Sequence, residues 1–235
     1  MQIPAQAGTR VTLQIVERSI KVLTGELAPR EARHGDWPSV SQKVLLEALV
    51  EAVLGGRVRA EVVANAMTCM AQARLLSAAS VQRLGAEEWA DAVRRLFSTR
   101  CPAYPFPGSR TEYLRRTLER FGGDLRCLVV MIRAAKDARE ARRRIVEGVC
   151  GLGPKQASFF LRQIGYPEPV AILDVHVLAY MRLAGLCEEG KTPQSIHRYE
   201  DLERRLLSYA YGRGFSTPML DSAIWITMRT AREVA

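Results

Sequence analysis

Apolar side chains recur at helical spacing along most of this chain, and this periodicity restricts the fold more than any other feature. Residues 43–54, 86–97 and 110–121 each place apolar side chains on one helical stripe, and a last helix is predicted to open at Thr217-Pro218. Few stretches alternate with period two, and residues 11–16 are the best strand candidate. Short turns rich in glycine and proline separate the helical segments, and no long linker divides them. The pattern predicts a compact all-α fold with two helical lobes.

The charge balance leaves two explanations open. The chain has 34 basic and 25 acidic residues, a formal net charge of +9, and only five of the basic residues are lysine. A surplus of guanidinium groups favours a nucleic-acid partner, because it neutralises phosphates and releases counterions. A GC-rich genome that encodes arginine where others encode lysine would give the same composition. Charge alone therefore does not assign a partner.

Hydropathy and cysteine spacing exclude several classes of protein. No apolar stretch approaches the roughly 20 residues that a membrane-spanning helix needs, and the N-terminal residues lack the pattern of a secretory signal. The five cysteines are an odd number, and none has the short spacing of a zinc or iron–sulfur site. We therefore expect a cytoplasmic protein with reduced, mostly buried thiols and no bound metal or cofactor.

Residues 142–165 have the pattern of two helices joined by a tight hairpin. The turn Gly151-Leu152-Gly153 contains two glycines, which can adopt positive φ, and Pro154 suits the first position of the following helix. Backbone N–H groups at such a helix start form an anion site, so the hairpin can bind a nucleic-acid phosphate without reading sequence. Four arginines, 139 and 142 to 144, precede the turn and either flank a DNA track or form a solvated helix face.

Two ionisable residues follow the hairpin at a suggestive spacing. Lys155 falls in the first turn of the second helix, where the positive end of the macrodipole disfavours the ammonium and favours a nucleophilic amine. Asp174 follows an apolar run and precedes a helix over residues 175–183, so it is a natural N-cap. Each feature alone is common in purely structural turns between helices. The combination of the hairpin, Lys155 and Asp174 indicates a catalytic site.

The segment resembles a known superfamily. Gly-Leu-Gly-Pro-Lys-Gln-Ala-Ser, followed by Ala-Ile-Leu-Asp-Val-His-Val, is similar to the helix-hairpin-helix DNA glycosylases that carry a Gly/Pro-rich loop and a catalytic Asp. The match is to the 8-oxoguanine DNA glycosylase/AP lyase branch, in its small archaeal and bacterial form. Tyr104 to Leu114 and Met219 to Trp225 resemble the segments of that branch before and after the hairpin, so the resemblance covers about residues 100–230.

The resemblance implies a fold and roles for particular residues. It implies two lobes, one formed by residues 1–75 with 186–235 and one by residues 76–185. It implies that Lys155 is the nucleophile and Asp174 the supporting carboxylate. Phosphate binding would fall to the hairpin and a base pocket to two aromatic residues: Gly151, Leu152, Gly153 and His176 for phosphate, and Phe106 and Trp225 for the base. His176 is equally compatible with an exposed helix start, and the two aromatic residues with ordinary core packing.

The expected activity is excision of a damaged base from double-stranded DNA by a monomer, through a lysine Schiff base, with 8-oxoguanine as the first candidate. The chain ends in Arg-Glu-Val-Ala, whereas the small 8-oxoguanine branch usually has a basic residue there. A second hypothesis is therefore excision of another modified base, such as a hypermodified cytosine in phage DNA. A third is a non-catalytic DNA-binding module, which would need neither the lysine nor the aspartate.

Overall fold

The structure is a computed structural model that describes residues 12–26, 37–168, 170–188, 192–193, 195–215 and 220–234. Within these ranges it is all-α, as predicted, and contains no strand. The eleven described helices are α1 Leu13–Glu26, α2 Gln42–Leu54, α3 Ala60–Gln72, α4 Ala78–Arg100, α5 Pro107–Arg120, α6 Arg126–Arg133, α7 Ala138–Gly148, α8 Pro154–Gln163, α9 Val175–Leu183, α10 Ile196–Gly212 and α11 Leu220–Val234.

The described residues form two compact units, but their boundaries differ from the predicted lobes. One unit contains residues 12–26 and the described residues from 171 onward, and the other contains the described residues between 37 and 170. Residues 42–72, which the sequence assigned to the lobe with both termini, cluster instead with the hairpin. The physical reason is α2, whose buried side chains pack against α8. Residues 171–185, which the sequence assigned to the hairpin lobe, cluster instead with α1, α10 and α11.

The larger unit is built around α2. Most side chains of this helix are buried, so α2 is apolar on nearly all sides and other helices must surround it. Helices α3, α4, α5 and α8 all pack against it. Burial of a leucine or valine side chain contributes about 1.5–3 kcal/mol, so this helix organises the core of the unit. The buried residues of α2 are Leu45, Leu46, Ala48, Leu49, Val50, Ala52, Val53 and Leu54.

The predicted stripes lie where the periodicity placed them. Trp89, Val93 and Phe97 of α4 are fully buried, and so are Leu114 and Leu118 of α5. The predicted start of the 86–97 helix has a local cause: Gly85, at φ +74°, interrupts α4 immediately before it.

The smaller unit consists of α1, α9, α10 and α11. Helix α11 packs against both α1 and α9, and its side chains Leu220, Ile224 and Met228 are buried on one face. The predicted start of this helix at residues 217–218 lies outside the described residues, and the described helix begins at Leu220.

The strand predicted for residues 11–16 is wrong over its described part. Residue 11 lies outside the described residues, Thr12 precedes a helix, and residues 13–16 form the first turn of α1. Val16 and Ile20 are buried one helical turn apart, so the apolar residues serve a helix face rather than a sheet face. None of the described helices is long and apolar enough to cross a membrane.

Candidate active site

The hairpin between α7 and α8 has the geometry that its sequence predicts. Helix α7 ends at Gly148, Gly151 adopts φ +77°, and Pro154 occupies the first turn of α8. The turn is attached to the rest of the unit in two ways: Leu152 is buried, and the Cys150 N–H donates to Thr117 Oγ1 of α5 at 3.1 Å. Gly153 caps α8 without a side-chain hydrogen bond, which leaves the helix start suited to an external anion.

Lys155 is the second residue of α8 and is partly buried. Two glutamines of α8 join this helix to α2. Gln156 Nε2 donates to the Ala52 carbonyl at 2.5 Å, and Gln163 Nε2 donates to Glu51 Oε2 at 2.6 Å. Neither hydrogen bond is predictable from the sequence, since the partners lie more than a hundred residues away. These two hydrogen bonds hold the backbone that carries Lys155.

Asp174 caps α9, as predicted. Its Oδ1 accepts the N–H groups of His176 at 2.9 Å and Val177 at 2.8 Å. No described residue donates a hydrogen bond to Oδ2. One carboxylate oxygen of Asp174 therefore caps α9.

His176 and Trp225 lie together in the smaller unit. Their ring centroids are 6.2 Å apart in an edge-to-face arrangement, and the Arg229 guanidinium lies 5.1 Å from the Trp225 ring centre. His176 Nδ1 is buried and has no hydrogen-bond partner among the described residues. Both rings are partly buried, so neither is a fully enclosed core residue.

Phe106 belongs to the larger unit and is 37% exposed at the start of α5. The Arg110 guanidinium lies 5.5 Å from its ring centre and donates to the Gly56 carbonyl at 2.9 Å. This exposure contradicts the core alternative for Phe106.

The arginine run before the hairpin is not one solvated face. Arg142 is completely buried and donates to Ser158 Oγ at 3.0 Å, which joins α7 to α8. Arg144 pairs with Glu140 and donates to the Met131 carbonyl at 3.0 Å. Of the four arginines in the run, only Arg139 is exposed, and Arg143 is partly buried. Helical periodicity separates adjacent arginines onto different faces, so the run contributes less to a DNA surface than its length indicates.

The predicted site residues are divided between the two units. Lys155 lies in the larger unit with Phe106 and the hairpin residues Gly151, Leu152 and Gly153, and the smaller unit holds Asp174, His176 and Trp225. The described residues contain no group of three or more His, Cys, Asp or Glu side chains placed to hold a metal ion.

The sequence of this chain matches a known protein family. A family model described as 8-oxoguanine DNA glycosylase matches residues 41–214, which is more than half of the chain and includes both Lys155 and Asp174. The chain belongs to the 8-oxoguanine DNA glycosylase family. Membership confirms the helix-hairpin-helix branch to which the sequence motifs pointed.

Relatives of this glycosylase family include an 8-oxoguanine DNA glycosylase/AP lyase of Saccharolobus islandicus. It is 33% identical over 123 residues, which are 52% of this chain and 58% of the relative. The match therefore spans less than two thirds of that relative.

Solved structures of the family match more of the chain. The crystal structure of the 8-oxoguanine DNA glycosylase of Thermotoga maritima is 26% identical, has a TM-score of 0.67, and covers 91% of this chain and 93% of its own. The Methanocaldococcus jannaschii enzyme, in complex with a 15mer DNA containing 8-oxoguanine, is 21% identical with a TM-score of 0.62 and covers 90% and 88%. The second likeness supports the fold alone.

Proposed function

We propose that this protein is a DNA glycosylase with AP lyase activity that excises a damaged base, with 8-oxoguanine as its substrate. The observation that carries the proposal is the family match over residues 41–214, because it spans the hairpin, Lys155 and Asp174 together. The Saccharolobus islandicus relative, an 8-oxoguanine DNA glycosylase/AP lyase 33% identical to this chain, supports the same substrate and activity.

The first step breaks the bond between the base and the sugar. The target nucleotide is extruded from the duplex, and the bond from C1′ to the base breaks with oxocarbenium character. Asp174 stabilises the positive charge at C1′ through its carboxylate, of which Oδ2 is not used in capping α9. The neutral amine of Lys155 forms a bond to C1′, the base leaves with the bonding electrons, and protons pass from the amine to the departing base.

The second step cleaves the DNA strand. The sugar ring opens to a Schiff base between C1′ and the Lys155 nitrogen, which acidifies the proton at C2′. Loss of that proton expels the 3′ phosphate by β-elimination, and water then releases the unsaturated sugar and restores the amine. The net change needs no oxidant or reductant.

The remaining site residues bind the DNA. The hairpin holds a phosphate at the start of α8 through the N–H groups of Gly151 and Gly153, since the Leu152 N–H already donates to the Val149 carbonyl at 3.5 Å. His176 contacts a second phosphate. Phe106 and Trp225 stack against bases, as exposed or partly buried rings do in nucleic-acid sites. We propose that the protein acts as a monomer.

A panel of duplexes tests this function. Wild-type protein is incubated with duplexes that contain 8-oxoguanine, an abasic site, a hypermodified cytosine or no modification, and both base release and strand cleavage are measured. The proposal predicts release of 8-oxoguanine and a nick 3′ to it. Release of the modified cytosine alone would show that this base, and not 8-oxoguanine, is the substrate. Salt-sensitive binding without any product would contradict enzymatic activity.

A further inference from the structure

The segment that leads to Asp174 has an unusual environment. Residues 171–173 belong to neither a helix nor a strand, yet Ala171 and Leu173 are buried. Buried backbone N–H groups outside regular structure need partners, because an unsatisfied one destabilises the fold by about the free energy of a lost hydrogen bond. The partners here are side chains.

Three consecutive N–H groups of this segment donate to three different side chains. Ala171 N donates to Glu203 Oε1 at 2.9 Å, Ile172 N to Asp221 Oδ2 at 2.7 Å, and Leu173 N to Tyr199 Oη at 3.1 Å. The Tyr199 hydroxyl in turn donates to the Ala171 carbonyl at 2.8 Å.

The three side chains are themselves rigidly placed. Tyr199 and Glu203 lie one turn apart on α10, Asp221 lies in the first turn of α11, and all three are buried. The Asp174 N–H donates to the Ile172 carbonyl at 2.9 Å, so the position of Asp174 follows from that of the clamped segment.

We propose that Glu203, Tyr199 and Asp221 are positioning residues that set the location of the Asp174 carboxylate for base excision. Each acts through the backbone of residues 171–173 and does not touch the substrate. The catalytic part of this proposal rests on the proposed function of Asp174. A small displacement of a catalytic group lowers the rate strongly, and 1 Å can lower it about a hundredfold.

Tyr199→Phe tests the proposal because it removes one hydroxyl and keeps the ring. Its matched control is Tyr209→Phe, which removes a hydroxyl on the same helix that donates to Glu17 instead. Single-turnover excision with saturating enzyme should slow about tenfold or more in Tyr199→Phe and remain at the wild-type rate in Tyr209→Phe. If the Tyr199 hydroxyl served stability alone, both variants would change in stability and both would excise base at the wild-type rate.

A second pair uses Asp221. Asp221→Asn keeps an oxygen that can accept the Ile172 N–H, whereas Asp221→Ala removes it. Excision should be largely retained in Asp221→Asn and lost in Asp221→Ala. Equal rates in these two variants would contradict the positioning role.

Amide hydrogen exchange measures the clamp, that is, the three side-chain hydrogen bonds to the N–H groups of residues 171–173, without any catalysis. The Leu173 amide should exchange about tenfold faster in Tyr199→Phe than in wild type, and at the wild-type rate in Tyr209→Phe. Unchanged exchange would overturn the clamp, and faster exchange with an unchanged excision rate would overturn its role in positioning. If wild type excises no base, the proposed function fails, while exchange at Leu173 still decides the clamp.

Discussion

The ring of Tyr113 lies directly against the α-carbon of Gly151. A β-carbon at residue 151 would meet Tyr113 Cδ2 at 2.2 Å, well inside any normal contact. Gly151 also adopts φ +77°, a conformation that residues with a side chain rarely adopt. The hairpin turn is therefore compatible with glycine alone at this position.

Gly151→Ala should destabilise the protein by about 2 kcal/mol or more, because strain at positive φ and the collision with Tyr113 act together. Gly153→Ala is the matched control, since a β-carbon at residue 153 meets nothing within 4 Å. It should lower the free energy of unfolding by less than about 1 kcal/mol. Urea unfolding of both variants measures the difference, and equal losses would contradict the turn geometry.

Asp174 variants separate its capping role from its chemical role. Asparagine caps helices about as well as aspartate, so Asp174→Asn should unfold at nearly the wild-type urea concentration, whereas Asp174→Ala should lose about 1 kcal/mol. Both variants remove the negative charge and should excise base about a hundredfold more slowly. Normal excision by Asp174→Asn would show that the carboxylate serves only the helix.

The cysteines should differ in reactivity. Cys127 is exposed and Cys150 partly so, whereas Cys69, Cys101 and Cys187 are buried. Titration of the native protein with a thiol reagent should therefore modify Cys127 first, and the three buried thiols should react only on unfolding. Cys127→Ser should abolish the fast phase of this modification, which we assign to Cys127. A fast phase that survives this change would contradict the assigned burial.

Alkaline pH should weaken the fold. Burial raises the pKa of Cys101 to about 12, with a contribution from its hydrogen bond to Cys69, and burial also raises the pKa of Tyr104. Above about pH 9 the unfolded chain releases these protons while the folded protein retains them, so the free energy of unfolding falls as pH rises. Urea midpoints at pH 7 to 10 measure the decline, which should be shallower in Cys101→Ala. An equally steep decline in that variant would contradict the role of this thiol.

Local patterns in the sequence were sufficient to predict much of the fold. The helix over residues 175–183 and its Asp174 cap lie where the sequence placed them, because capping and periodicity are properties of neighbouring residues. The hairpin was also predictable, since its glycines and Pro154 have specific backbone roles.

Long-range contacts were not predictable. Glu203 and Tyr199 bind a segment about thirty residues away, and nothing in the periodicity of α10 distinguishes them from other buried side chains. Arg142 looked like part of a basic surface and is buried in the core. Residues 11–16 alternate too briefly to separate a strand from a helix, and helix packing decided the outcome.

Borohydride trapping tests the central claim most directly, because it captures the Schiff base that Lys155 would form. Wild type, Lys155→Gln and the control Lys136→Gln, which changes an exposed lysine, are mixed with a duplex containing 8-oxoguanine and reduced. We predict a covalent protein–DNA adduct with wild type and Lys136→Gln, mapping to the peptide that contains Lys155, and none with Lys155→Gln. An adduct that persists in Lys155→Gln, or full excision by that variant, would contradict the assignment.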